Sequence, residues 1–387
     1  MFCCFGARAR RSQPAPARDR SVVMASARVN NVPAAGEGGA DSSMASPRSS
    51  GYFASSERSL GGAEEGERSG VVVAPLQPPA EAVVWPVEFG SLSEPGLRRK
   101  STEDTEDTVS LRRSFCVWAD GSQMHFFAVF DGHGGPEVSA LCRDQMHAIL
   151  AEELALAAAA YRVEHHPAED EEAELHAWKA ALTRSFTRAD ALGASAVPSA
   201  YVVGSTAVVA LLVRGHLLVA NSGDSRAVLC RAGRAIPLSQ DHKLERRPDE
   251  VARVEAAGDT VFFHNGLLRV RGILGMSRAL GHRFLKPGVI CVPEITITTR
   301  SWEDDCLILA SNGIWDAISN QEACHIARKC LEDMGKDDAQ SQYLGALVGP
   351  EDNVRCVNAA LVLTRLAIAR SSPDDISVVV VDLKVRG

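Results

Sequence analysis

The segment Ile376–Leu383, ISVVVVDL, sets the strongest limit on what this chain can fold into. A strand with one face in water alternates apolar and polar residues, because successive side chains point to opposite faces. Four consecutive valines, Val378–Val381, break that alternation. The strand therefore belongs in the interior of a sheet and is expected to be buried on both faces.

The text upstream supplies the partners. Phe115–Phe130 reads as a hairpin around the turn Ala119–Ser122. After Gly135-Pro136 an Ala- and Leu-rich helix is predicted to about Tyr161. The acidic run Glu169–Glu174 reads as the solvated start of a second helix, ending near Ala191. From Gly204 onward STAVVALLV, HLLVANSG and RAVLCRAG are short apolar runs parted by glycine-containing turns, the pattern of an antiparallel meander. Further strands are expected at Thr260–Phe263, Glu294–Thr298 and Cys306–Ala310, and helices at Asp249–Ala257, Asn320–Leu331 and Asn353–Ala369. Antiparallel runs with helices grouped in pairs imply an α+β fold of two packed sheets, not alternating βαβ units.

Residues 1–84 are different material, rich in Ala, Gly, Ser, Pro and Arg, with no apolar periodicity. Such a segment buries too little to offset its conformational entropy and reads as a disordered extension; residues 85–387 form the folded domain. Six arginines against one acid in the first 35 residues fit a solvated tail, a transit peptide or a nuclear signal. Cytoplasm, nucleus or both is the expected location. The ten cysteines form no CxxC pair, which suits a reducing compartment with thiols as small core residues. A net charge of −8 disfavours nucleic acid as a partner. No apolar run approaches the ~20 residues of a membrane span, so membrane contact would require acylation of Cys3 and Cys4. A soluble monomer is expected.

The chemistry gathers at strand ends. FAVFDGHGG ends a strand with Asp131-Gly132-His133, VANSGDSRAV places Asp224 in a tight turn, and LILASNGIWD puts Asn312 at a tip. SSPDDISVVVV sets Asp374 and Asp375 just before the last strand, and STEDTEDTVS offers Glu103-Asp104 and Glu106-Asp107. Carboxylates at the mouths of several strands can converge on one point, and hard divalent cations prefer oxygen ligands. Gly132 lets a backbone carbonyl approach as well.

With FDGHGG, GSTAVVALL, VANSGDSRAVLCR, PLSQDHK, DEVARVEAAG, MSRALG, RFLKP and DISVVVVDLK in this order, the chain resembles plant type-2C, metal-dependent Ser/Thr protein phosphatases from about Trp85 to Lys384. GDTVFFHNG, GILGMSRALG and RFLKP are most similar to the branch that works in abscisic acid signalling. The resemblance implies an α-β-β-α sandwich whose nucleophile is a water bridging two Mg²⁺ or Mn²⁺ ions. Carried over by position, Asp131 is the bridging ligand, Gly132 gives its carbonyl, Asp374 is a further ligand and Asp224 serves a weaker third ion. His133 matches the general acid that protonates the leaving serine or threonine oxygen.

The chain departs from the pattern at the site itself. Asn312 stands where the family has a metal-binding Asp, His282 where it has a carboxylate, and Asp375 where it has Asn, adding a charge able to offset part of the loss. The spacing to TVSLRRSF favours Glu106-Asp107 as the family's acidic pair; Arg99 has the spacing of the phosphate-binding Arg only to Glu103-Asp104. Two functions stay open: a phosphatase with weakened metal binding, or a pseudophosphatase that binds protein kinases or phosphoproteins. His264 stands at the position of the branch's receptor-inserting Trp, so hormone-receptor coupling is not expected.

Overall fold

The computed structural model describes residues 87–97, 105–164, 170–198, 202–332 and 347–384. These all fall in the unit Gln77–Gly387, so the extension proposed for residues 1–84 lies outside the description. The elements, in chain order, open with strands β1 (Glu88–Glu94), β2 (Thr108–Val117), β3 (Gln123–Phe130) and β4 (Gly132–His133). Two long helices follow, α1 (Glu137–Glu164) and α2 (Glu171–Ala196). Then come β5 (Gly204–Ser205), β6 (Ala207–Val213), β7 (His216–Ser222), β8 (Arg226–Arg231) and β9 (Arg234–Pro237). Helix α3 (Pro248–Ala256) precedes the hairpin β10 (Val261–His264) and β11 (Leu267–Val270). The chain closes with β12 (Leu280–Gly281), β13 (Glu294–Thr299), β14 (Asp304–Ala310), α4 (Asn312–Trp315), α5 (Asn320–Glu332), α6 (Val354–Ala369) and β15 (Ile376–Asp382).

Two five-stranded antiparallel sheets carry the fold, in the orders β1-β15-β14-β8-β9 and β13-β7-β6-β3-β2. The last strand lies between β1 and β14 with every residue buried. Its valines alternate between two apolar layers: Val379 and Val381 pack with Phe127, Val129 and Leu307 between the sheets, whereas Val378 and Val380 pack with Ile308 beneath α5 and α6. On the far side, the outer face of the second sheet is covered by α1 and α2, with Phe126, Met146, Leu150 and Phe186 all fully buried. The four layers are helix, sheet, sheet, helix.

Several expectations shift. The predicted meander divides: β6 and β7 pair, but β8 crosses to the other sheet beside β14. Local patterning cannot tell these outcomes apart, because β8 is apolar whichever sheet receives it. The crossover is built at Gly223, which adopts φ +124°; a Cβ there would lie 2.6 Å from the Thr206 side chain. Helix α2 runs to Ala196, five residues past the predicted end, and β2 starts at Thr108, upstream of Phe115. Strand β10 has a hairpin partner, β11, that the apolar pattern did not mark.

The acidic run is not wholly solvated either. Asp170 caps α2 by accepting the Ala173 N–H at 3.0 Å. Glu174, in contrast, is buried and accepts the Trp118 indole N–H at 2.5 Å while pairing with Arg214. A helix-start acid thus satisfies the polar edge of a core tryptophan.

Leu307 and Ile308 are neighbours on opposite faces of β14, both fully buried. In a one-faced strand, truncating one of them would be nearly neutral. Here Leu307→Ala and Ile308→Ala should each cost about 2–5 kcal/mol in urea unfolding; a loss under ~1 kcal/mol for either would contradict two-sided burial.

Candidate functional site

The acids sit at one edge of the two sheets because the strand registers put them there. Thr108 pairs with Phe130, so Asp107 and Asp131 are the next residues out on adjacent strands. Val129 pairs with Val208 and Ala207 with Ser222, bringing the end of β7, and hence Asp224, to the same edge. In the other sheet Ala310 pairs with Val378, so Asn312 after β14 and Asp374 before β15 emerge together. Strand ends far apart in sequence meet only through this pairing.

The resulting charge density is severe. Asp131 is buried, and burial followed by Asp107, Asp224 and Asp374 raises its carboxyl well above the ordinary range. Burial, with Asp375 and Asp374 nearby, pushes Asp107 up to about 7. Asp224 rises to about 6, chiefly through burial and against the opposing pull of Lys243. Both Asp107 carboxylate oxygens, Asp224 Oδ1 and the Asn312 amide oxygen are buried without a hydrogen-bond partner. The Ser311 and Ser377 hydroxyls favour ionised Asp107 but are engaged elsewhere: Ser311 Oγ donates to the Asp375 carbonyl and accepts from Ser377 N, and the two serines Ser377 and Ser93 share a hydrogen bond.

Uncompensated oxygen donors of this kind suit hard divalent cations, which would lower every one of these costs at once. Among the described residues no three His, Cys, Asp or Glu side chains already form a closed ligand cage. The donor chemistry fits the cation that the sequence implies, as an open array of oxygens.

Gly132 has no room for a side chain: a Cβ would lie 2.4 Å from the Glu106 carbonyl oxygen. That carbonyl also accepts the Ser139 hydroxyl, and the Glu106 N–H donates to Asp375 Oδ2 at 2.9 Å. Glu106 is thus pinned through its backbone at the start of β2. Thr206 locks Asp131 from the other side, its hydroxyl 3.2 Å from Asp131 N and its own N–H 2.9 Å from Asp131 O.

His133 lies beside this cluster with Nδ1 3.2 Å from the Asp131 carbonyl, which assigns the ring proton to Nδ1 and leaves Nε2 with a lone pair. Its ring stacks on His282 at 4.6 Å between centroids. Burial drives His133 down to about 4 and His282 to about 2, so both imidazoles are neutral at pH 7. His282 is 1% exposed, in a left-handed conformation with φ +43°, and neither ring nitrogen has a partner.

Two site groups were not singled out from the sequence. The Lys243 ammonium lies 3.6 Å from Asp224 and 2.6 Å from Asp316, a built-in cation at the edge of the acid cluster. Both residues stand in runs quoted above, PLSQDHK and LILASNGIWD, but only the crossover at Asp224 brings them together. Arg99, Glu103 and Asp104 lie outside the described residues. His264 ends β10 on an exposed hairpin, next to Phe263 at 73% exposure. The Asp375 carboxylate, whose charge helps raise Asp107, is held by two backbone donors: Oδ1 accepts Gly96 N–H and Oδ2 accepts Glu106 N–H.

Comparison with known proteins gives first the class and then the family. The four-layer sandwich matches solved structures with that fold, including a serine-threonine phosphatase 2C from Toxoplasma gondii (TM-score 0.59, 24% identity, 76% of this chain and 94% of that one). A Caenorhabditis elegans sex determining protein is comparable (TM-score 0.59, 22% identity, 77% and 65%). Residues 95–375 match the family model for protein phosphatase 2C. The chain is 47% identical to a probable protein phosphatase 2C 37 of Oryza sativa, across 79% of this chain and 78% of the relative. It is 44% identical to a probable protein phosphatase 2C 75 of Arabidopsis thaliana, covering 80% of each. The chain belongs to the protein phosphatase 2C family, an enzyme family of Ser/Thr protein phosphatases.

The crowding of acids has a measurable consequence. Asp131→Asn removes one buried carboxyl that burial and three neighbours disfavour. In chelator-treated protein at pH 7 it should raise the melting temperature by about 2–4 °C, equivalent to ~1 kcal/mol. An unchanged or lower melting temperature would show that the metal-free cluster is not under strain.

Proposed function

We propose that the chain is a Ser/Thr protein phosphatase whose site holds divalent cations, Mg²⁺ or Mn²⁺, more weakly than the family pattern provides. The observation that carries this reading is the acid cluster with its orphaned oxygens, interrupted at one strand end by a neutral amide. Asp131, the Gly132 carbonyl, Asp374 and Asp107 would hold two cations; Asp224 faces the place of a weaker third. When bound, the ions supply an activated water and positive charge opposite the phosphoryl oxygens.

The chain's own groups set the rest. Asp131, clamped by Thr206, orients the site from the end of β3. Asn312 contributes an oxygen but no charge, so attraction for both cations falls. His133 would give a proton to the leaving serine or threonine oxygen from Nε2, its other nitrogen being held by the Asp131 carbonyl. To act so it must first gain that proton, and the neutral His282 ring beside it gives no help where a carboxylate would. The substrate class is a phosphoserine or phosphothreonine protein.

The pseudophosphatase reading draws on the same two substitutions, and metal titration separates the two. We expect low turnover of a generic phosphatase substrate at millimolar Mg²⁺ and partial rescue by excess Mn²⁺. Asn312→Asp should lower the metal requirement about tenfold or more, since ~1.4 kcal/mol is one factor of ten. Adding His282→Asp should raise turnover further, and Asp131→Ala should abolish it. Full activity of the parent at low metal, unchanged by Asn312→Asp, would overturn the weakened-site reading. No turnover in any of these variants would favour a binding role.

We further propose that hormone-receptor coupling, to which the resemblance points, is weak here. His264 is exposed at the end of β10 and offers less apolar area than Trp. A buried aromatic anchor carries about 2 kcal/mol or more of an interface. His264→Trp should therefore strengthen hormone-dependent receptor association in calorimetry by at least ~30-fold. Tight association by the parent would count against the reading.

A further inference from the structure

Asp375 is where the site's sequence departure and its geometry meet. It precedes β15, is 3% exposed, and spreads its two carboxylate oxygens over two separate backbone donors. Oδ1 takes the Gly96 N–H at 3.2 Å and Oδ2 the Glu106 N–H at 2.9 Å. Its own carbonyl accepts the Ser311 hydroxyl at 3.3 Å, directly before Asn312. One residue thus ties the chain after β1, the start of β2 and the turn after β14.

The choice of carboxylate follows from the donors. Two N–H groups pointing at two oxygens need an acceptor at both positions. An asparagine offers one oxygen, and its amide nitrogen would face the second N–H, leaving a buried donor unpaired. The residue next to Glu106 is Asp107, and the Glu106 carbonyl packs where Gly132 has no Cβ. Fixing Glu106 therefore fixes both the acid that faces Asp131 and the contact beside Gly132.

We propose that Asp375 is a positioning residue: its bidentate grip on the Gly96 and Glu106 N–H groups holds Asp107 in the acid cluster. The inference rests on the metal-site reading above for its effect on cation binding, and on the hydrogen bonds alone for the tether.

The experiment uses the full chain, as parent, Asp375→Asn and Asp375→Ala, with two readouts. Hydrogen exchange on metal-free protein reads the tether: the Glu106 and Gly96 amides should lose about tenfold or more in protection in Asp375→Ala, and one of the two in Asp375→Asn, while amides in the centre of β14 and β15 keep theirs. Mn²⁺ binding followed by electron paramagnetic resonance reads the consequence: Asp375→Asn should weaken Mn²⁺ about tenfold, the equivalent of one hydrogen bond to a charged group. A purely structural residue would lower exchange protection throughout the sheet instead of at these two amides. Unchanged protection of Glu106 in both variants overturns the tether. Retained Mn²⁺ affinity with lost protection overturns its role in positioning. If the parent itself binds no Mn²⁺, the metal-site reading fails, and the exchange pattern still decides the tether.

Discussion

Repulsion among buried carboxylates is the constraint around which this molecule is arranged. At a single sheet edge Asp107, Asp224 and Asp374 raise the proton affinity of Asp131, and Asp375 and Asp374 raise that of Asp107, where burial already disfavours charge. Nothing local would keep them together. The opposing force is the apolar burial of two sheets and four helices in three layers, two of them meeting along β14 and β15 and the third lying under α1 and α2 on the far side of the other sheet. The central strands β6, β7, β14 and β15 are buried over nearly their whole length, so their registers cannot slip without displacing apolar side chains from the core. Stability made in the core is thus used at the edge, as in many functional sites.

The departures from the family pattern differ in kind once they are placed in space. Asn312 alters a group whose oxygen faces the cluster without a partner. His282 alters the neighbour of a histidine, replacing attraction for a proton by a second neutral ring. Asp375 adds a charge that acts on Asp107, while its two oxygens accept two backbone N–H groups. A count of charges gained and lost along the sequence treats Asn312 and Asp375 as compensating, whereas the geometry assigns them to separate jobs. Lys243 adds a positive charge to the same edge that the count of carboxylates left out.

What the sequence by itself determined is whatever one element imposes on its own residues. The four valines require burial on both faces, and β15 has it. Most periodic segments become helices and strands within a few residues of their expected bounds, β2 and α2 running further, and the strand-end acids Asp131, Asp224 and Asp374 are visible because glycine turns or buried strands adjoin them. What only the tertiary structure decided are the facts that belong to pairs of elements. β8 leaves the meander because the Gly223 turn sends it to the other sheet, and no alternation of side chains encodes which sheet is next. Glu174 lies in an acidic run but is buried because Trp118 and Arg214 meet it there. Lys243 joins Asp224, and Asp375 grips Glu106, through contacts spanning 19 and 269 residues of chain respectively. Such contacts are set by layer packing and strand register, which depend on the whole core being formed, so they leave no mark on the short stretches of sequence they join.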